Sequence, residues 1–96
     1  MRTIRYTNKF KRDYKREKSG KSRHHVQQLD RDLAHVVALL AADSVLPRSY
    51  ADHALTGDWK DFRDCHIRPD LVLIYRKLDA SALELVRLGS HSELGL

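Results

Sequence analysis

The sequence predicts an α+β fold: an N-terminal strand, two helices, then a three-strand antiparallel meander, with the helices packed on one face of the sheet. Two observations carry this. Val26, Leu29, Leu33, Val36, Val37 and Leu40 keep helical spacing, and from Trp59 onward the period changes to that of strands separated by turns. The 96 residues suffice for one small domain, 1–96, and no more.

Each element has a local reason. Arg2 to Tyr6 alternates and reads as a short strand. Thr7 can cap a helix running to about Lys18, with Phe10 and Tyr14 one turn apart as its apolar stripe. Gly20 breaks that helix, and Ser22 can cap a second that runs to about Ala42. Pro47 lies in a connecting loop. Trp59 to Ile67 reads as a strand with mixed faces. Arg68-Pro69-Asp70 is a turn, because proline fixes its own backbone angle and cannot donate to a ladder. Leu71 to Arg76 is nearly continuous in apolar residues, as a central strand would be. Asp79-Ala80-Ser81 turns the chain into Leu83 to Leu88, a third strand or a short helix.

Composition narrows the function classes. A formal charge of +5 points to an anionic partner. The charge is concentrated: residues 1–23 hold ten Lys or Arg against Asp13 and Glu17. Lys9, Lys11, Arg12, Lys15 and Arg16 cover most of the first helix beyond its apolar stripe. They read either as a solvated face or as a footprint for a phosphate backbone. Cys65 is the single cysteine, so no disulfide framework is expected and a reducing compartment is. No apolar run is long enough to span a bilayer, and the first residues lack the apolar core of a signal peptide. A cytoplasmic protein with no membrane partner is the expectation.

The C-terminal half concentrates the chemistry. His53, His66 and His91 stand near the ends of predicted strands with Asp64, Asp70, Arg68 and Arg87. Histidine exchanges protons near neutral pH, and the planar fork of arginine holds a phosphate. Such a set suits cleavage of an RNA phosphodiester without a metal or other cofactor. The 2′-hydroxyl is the nucleophile, one histidine takes its proton, and a second protonates the leaving 5′-oxygen. His53 is assigned as base and His91 as acid, reversibly. Asp70 orients a histidine, Arg87 binds the scissile phosphate, and His66 supports the site. Each residue also has a plainer reading. His53 is an ordinary loop histidine, His66 a core histidine, Asp70 a turn residue, Arg87 the ion-pair partner of Glu84 or Asp64, and His91 part of a loose chain end. Two rival functions stay open. His53, His66, Asp70 and His91 could instead hold zinc or a transition metal. A non-catalytic module that uses the basic helix to bind RNA is the other.

The segment Asp52-His53-Ala54-Leu55-Thr56-Gly57-Asp58-Trp59-Lys60, with Arg63-Asp64-Cys65-His66, Pro69-Asp70 and Arg87-Leu88-Gly89-Ser90-His91, resembles the YafQ branch of the RelE-type toxins. The resemblance covers about half the chain closely. It implies a ribosome-dependent mRNA endonuclease that cuts the codon in the ribosomal A site. It also implies a RelE-like fold and an antitoxin, encoded next to it, that blocks the toxin; the non-catalytic alternative then extends to an antitoxin-binding module that serves as a corepressor. By position, His53, His66, Asp70, Arg87 and His91 match family residues of catalysis or mRNA contact, and Asp64 matches a family acid. The 70S ribosome, through its 16S rRNA, and mRNA become the expected partners. Lys60 and Arg63 join Lys9, Lys11, Arg12, Lys15 and Arg16 as candidate contacts to them. Leu71 stands where the best-known member of the family has tryptophan, and Gly95-Leu96 lacks that member's phenylalanine, which leaves the codon preference open.

Overall fold

The computed structural model describes residues 1–96. The chain runs β1 (Thr3–Tyr6), α1 (Asn8–Lys18), α2 (Arg23–Ala41), β2 (His53–Ala54), β3 (Arg63–Arg68), β4 (Leu71–Asp79), β5 (Ala82–Gly89) and α3 (His91–Leu94). Single 3₁₀ turns at Arg48–Tyr50 and Gly57–Trp59 flank β2. The caps fall where the sequence places them. Thr7 Oγ1 accepts the Phe10 amide at 2.9 Å, and Ser22 Oγ accepts the His25 amide at 3.1 Å.

The strands form one sheet in the order β1-β5-β4-β3-β2. β3, β4 and β5 make the expected antiparallel meander. β1 joins it parallel to β5, so the sheet is mixed. β3 begins at Arg63 and not at Trp59 as the sequence predicts, because residues 57–59 are spent on the 3₁₀ turn that seats Trp59. β4 continues to Asp79, and residues 82–89 are strand and not helix. Asp79 Oδ1 accepts from both the amide and hydroxyl of Ser81, which tightens the β4–β5 turn.

Alternation along the strands separates two apolar layers. On one face Cys65, Ile67, Leu73, Tyr75, Leu83, Leu85 and Leu88 pack with Phe10 of α1 and Leu29, Leu33, Val36, Val37 and Leu40 of α2. On the other, Val72, Ile74 and Val86 meet Leu94 of α3, with Leu55, Trp59 and Phe62 against them. The helices therefore do not all share one face: α3 covers part of the second.

β1 pairs with β5 only as far as Leu85, and α1 takes over from there. Thr7 donates its amide to the Leu85 carbonyl and its hydroxyl to the Val86 carbonyl. Asp13 accepts the Leu88 amide, and Arg16 donates to the Leu88 carbonyl at 2.8 Å. Side chains of a helix thus do for this strand edge what a neighbouring strand would do.

Candidate active site

The face opposite α2 carries the histidines. On β3, Cys65 and Ile67 are buried in the main core, which turns Asp64 and His66 to the other side. β2 is two residues long, yet its register sets His53 directly opposite Asp64. α3 begins at His91 and is held by a capping box in which Ser90 and Glu93 bind each other's amides. The chain end at His91 is thus a capped helical turn, not a loose tail.

His53 Nδ1 lies 2.8 Å from the Ala51 carbonyl oxygen and 2.9 Å from Asp64 Oδ1. Ala51 adopts a left-handed conformation (φ 50°) just before β2. The ring's Nδ1–H is donated to the Ala51 carbonyl, so Nε2 is the basic nitrogen of the neutral ring. Asp64 is 2% exposed, and its Oδ1 has no hydrogen-bond donor despite the nearby ring. Burial raises its pKa above the ordinary 3.8, and the charges of His53, His66 and His91 oppose that rise. A single buried carboxylate therefore lies within electrostatic reach of all three histidines.

His91 and His66 meet edge-on, with ring centroids 5.0 Å apart and planes at 72°. His91 Nδ1 faces Asp70 Oδ1 at 3.4 Å, which orients the ring and leaves Nε2 free. His53, Asp64 and His91 line one cleft of about 490 Å³, together with Leu55, Thr56, Asp58, Trp59, Gly95 and Leu96. No group of three or more His, Cys, Asp or Glu side chains comes close enough to hold a metal ion. The donor set weighed for zinc, His53, His66, Asp70 and His91, is thus not assembled as a metal centre.

Arg87 stands apart from this cleft. Its Nε and Nη2 donate to Asp13 of α1 at 2.7 and 3.2 Å. Its acidic partner is neither Glu84, which binds Arg76, nor Asp64. Asp13 is 3% exposed and also accepts from Arg16 Nη1 and the Leu88 amide. Burial alone would raise the pKa of Asp13, but the bonds from Arg87, the Leu88 amide and Arg16 outweigh it and lower the value. The sequence reading missed this acid. One signal was available: Asp13 lies three residues after Phe10 and next to Tyr14, on the apolar stripe of a basic helix.

The basic residues of α1 divide. Arg16 is committed internally to Asp13, Glu17, Glu93 and the Leu88 carbonyl, so it is a strut and not a free surface charge. Lys9, Lys11, Arg12 and Lys15 are exposed. Lys60 is exposed beside the Trp59 turn, and Arg63 bonds Asp52 at 3.3 Å.

A mixed sheet with two helices on one side and a histidine cleft on the other defines the class, and the comparisons supply the family. Residues 2–95 match the family described as the bacterial toxin of type II toxin–antitoxin system, YafQ. The chain belongs to that family. The mRNA interferase toxin YafQ of Escherichia coli K12 is 36% identical over 95 residues, covering 98% of this chain and 96% of the relative. The Escherichia coli DinJ–YafQ complex contains a chain of the same shape, with TM-score 0.79, 33% identity and 98% of both chains covered. A metal-bound toxin from Helicobacter pylori gives TM-score 0.80 at 45% identity, covering 98% of this chain and 99% of that one.

Proposed function

We propose that this chain is an mRNA interferase that cuts A-site codons on the ribosome by attack of the RNA 2′-hydroxyl, with histidines as general base and acid. One observation carries the reading. His53 and His91 line the same cleft, and each has Nδ1 directed at an oxygen, which leaves Nε2 of both rings for a substrate. His53 Nε2 takes the proton of the 2′-hydroxyl, whose oxygen attacks the adjacent phosphorus. The bond to the 5′-oxygen breaks, and His91 Nε2 returns a proton to it. Asp70 orients His91, His66 supports it edge-on, the Ala51 carbonyl holds the His53 ring, and the Asp64 carboxylate faces the charge that His53 gains. The basic surface that brings the RNA comprises Lys9, Lys11, Arg12, Lys15, Lys60 and Arg63, with Arg87 as a phosphate ligand. The partners in this reading are mRNA, the 70S ribosome with its 16S rRNA, and a cognate antitoxin encoded next to the toxin, all in the cytoplasm. The DinJ–YafQ complex of the relative supports the antitoxin.

The test uses the purified chain on programmed ribosomes, with the fragment ends read by end-specific ligation. The 5′ fragment is expected to end in a 2′,3′-cyclic phosphate or the 3′-phosphate from its opening, and the 3′ fragment to begin with a 5′-hydroxyl. Fragments that begin with a 5′-phosphate would overturn the paired-histidine mechanism, since that is the product typical of a metal-activated water.

A further inference from the structure

We propose that Asp52 and Tyr75 are positioning residues for His53: the buried Tyr75 hydroxyl, acting through Asp52, sets the peptide carbonyl that holds the His53 ring. His53 needs such a support. It stands on β2, an edge strand of two residues, and its side chain is 55% exposed. A strand that short offers little backbone pairing to hold a ring at a fixed angle. The chain also enters β2 through Ala51 at φ 50° and ψ 41°. An L residue keeps that left-handed conformation only where its surroundings hold it.

The support comes from the other face of the sheet. Tyr75 is 1% exposed and packs in the main core under α2. Its hydroxyl donates to Asp52 Oδ1 at 2.5 Å, and Arg63 Nε donates to the same oxygen at 3.3 Å. Arg63 pairs with Tyr75 across β3 and β4, so the two donors converge from neighbouring strands. Burial, and then the bond to Asp52, push the Tyr75 phenol above its ordinary 10.0, against an opposing effect of Arg63, so the hydroxyl stays a donor at neutral pH. The Ala51 carbonyl and the Asp52 amide belong to one planar peptide group, so fixing Asp52 fixes the direction of that carbonyl. The carbonyl oxygen lies 2.8 Å from His53 Nδ1. Asp52 and Tyr75 do not line the histidine cleft; they border a separate hollow of about 450 Å³ beside the loop from α2 to β2. They reach the chemistry only through His53.

Loss of this latch lets the carbonyl turn away, and Nδ1 then loses its acceptor. The ring proton redistributes between the two nitrogens, and the ring leaves the geometry in which Nε2 faces the cleft as the basic atom. A misplacement of about 1 Å costs on the order of 10²-fold in rate. The loss falls on the maximal rate and not on half-saturation, because neither residue touches the RNA. The effect on rate rests on the proposed role of His53 as base; the positioning of the ring does not.

The test uses the full chain with Tyr75→Phe, Asp52→Ala and Asp52→Asn, each checked for folding by its thermal midpoint. Tyr75→Phe keeps the ring in the core and removes only the hydroxyl. Should it unfold, Asp52→Ala, at a partly exposed side chain, carries the test. Asparagine retains Oδ1, the one oxygen that takes both bonds, so Asp52→Asn should behave as wild type. Nitrogen-15 NMR of the His53 ring in the free protein gives the first readout. The Nδ1–H form should dominate in wild type and Asp52→Asn, and the ring should shift toward the Nε2–H form in the other two variants. Single-turnover cleavage on programmed ribosomes gives the second. The maximal rate should fall about 10²-fold in Tyr75→Phe and Asp52→Ala, with half-saturation unchanged. In a His53→Ala background, Tyr75→Phe should cause no further loss. Wild-type ring signals in both Tyr75→Phe and Asp52→Ala overturn the proposal. So does a Tyr75→Phe loss that persists in full in the His53→Ala background. Ring signals that move while the rate holds support the latch and refute His53 as the base, so the two failures are distinguishable.

Discussion

Asp13→Asn probes the junction of α1 and β5 with a change of only one atom. All four bonds to the carboxylate come from donors: Arg87 Nε at 2.7 Å, Arg16 Nη1 at 2.8 Å, the Leu88 amide at 3.0 Å and Arg87 Nη2 at 3.2 Å. An amide offers one accepting oxygen, and its NH₂ group must face two of these donors whichever way it flips. If the nitrogen replaces Oδ2, the buried Leu88 amide is orphaned, at a cost of about 1–3 kcal/mol. If it replaces Oδ1, Arg16 and one Arg87 donor lose their acceptor instead. Both guanidinium groups lose a counter-charge in either case. Breaking a buried pair costs about 3–5 kcal/mol. The Arg16 side chain is 40% exposed, so solvent screening sets the sum near the low end, about 3 kcal/mol. A domain of this size shifts in Tm by about 4–8 °C per kcal/mol, so the variant should melt roughly 12–24 °C below wild type. Circular dichroism during thermal unfolding at neutral pH measures this. A fall under about 4 °C would refute the claim that Asp13 ties the helix to the strand. The sign of the pH dependence follows from the lowered pKa of Asp13. Its stabilisation is present above the ordinary value of 3.8 and is lost as pH falls through the lower folded value. The gap between wild type and variant should therefore close in acid.

Asp64→Asn should behave in the opposite way. Burial raises its carboxyl pKa, so its contribution to stability is present below 3.8 and lost as pH rises through the folded value. The variant should melt above wild type at neutral pH and lose that advantage in acid, yet cleave about 10²-fold more slowly because the imidazolium formed at His53 loses the carboxylate that faces it. A lower Tm at pH 7 would contradict the burial argument, and unchanged cleavage would contradict the positioning role. His53→Ala and His91→Ala alter side chains that are 55% and 42% exposed, so each should change stability by less than about 1 kcal/mol. Each should slow single-turnover cleavage on programmed ribosomes by roughly 10²–10⁴. Full activity in both variants would show that proton transfer lies elsewhere.

Local chemistry was legible in the sequence, and long-range pairing was not. Thr7 and Ser22 announce their helices because a cap needs only a hydroxyl and an amide three residues on. The run from Leu71 to Tyr75 reads as a central strand because all five residues are buried. β2 has two residues, too few to show any period, so His53 read as a loop residue although the register sets it against Asp64. α3 did leave a trace, since Ser90 and Glu93 have capping-box spacing, but four residues give no apolar stripe. The candidate histidines His53, His66 and His91 could be named because each is chemically distinctive. The partner of Arg87 could not, because Asp13 is 74 residues away and no periodicity links them. The parallel pairing of β1 was hidden for the same reason.

That pairing also orders the events of synthesis. β1 is made first, and its only neighbour in the sheet is β5. Each of its partners lies 79 residues further along the chain, the same separation that the Thr7–Val86 bond spans. Asp13 and Arg16 likewise have no strand edge to hold until Leu88 has been added. His91 follows β5 by two residues. A chain stalled before Ala82 thus has both long helices but neither a closed sheet nor a complete cleft. The closed sheet and the candidate cleft are thus completed together, by residues 82–96.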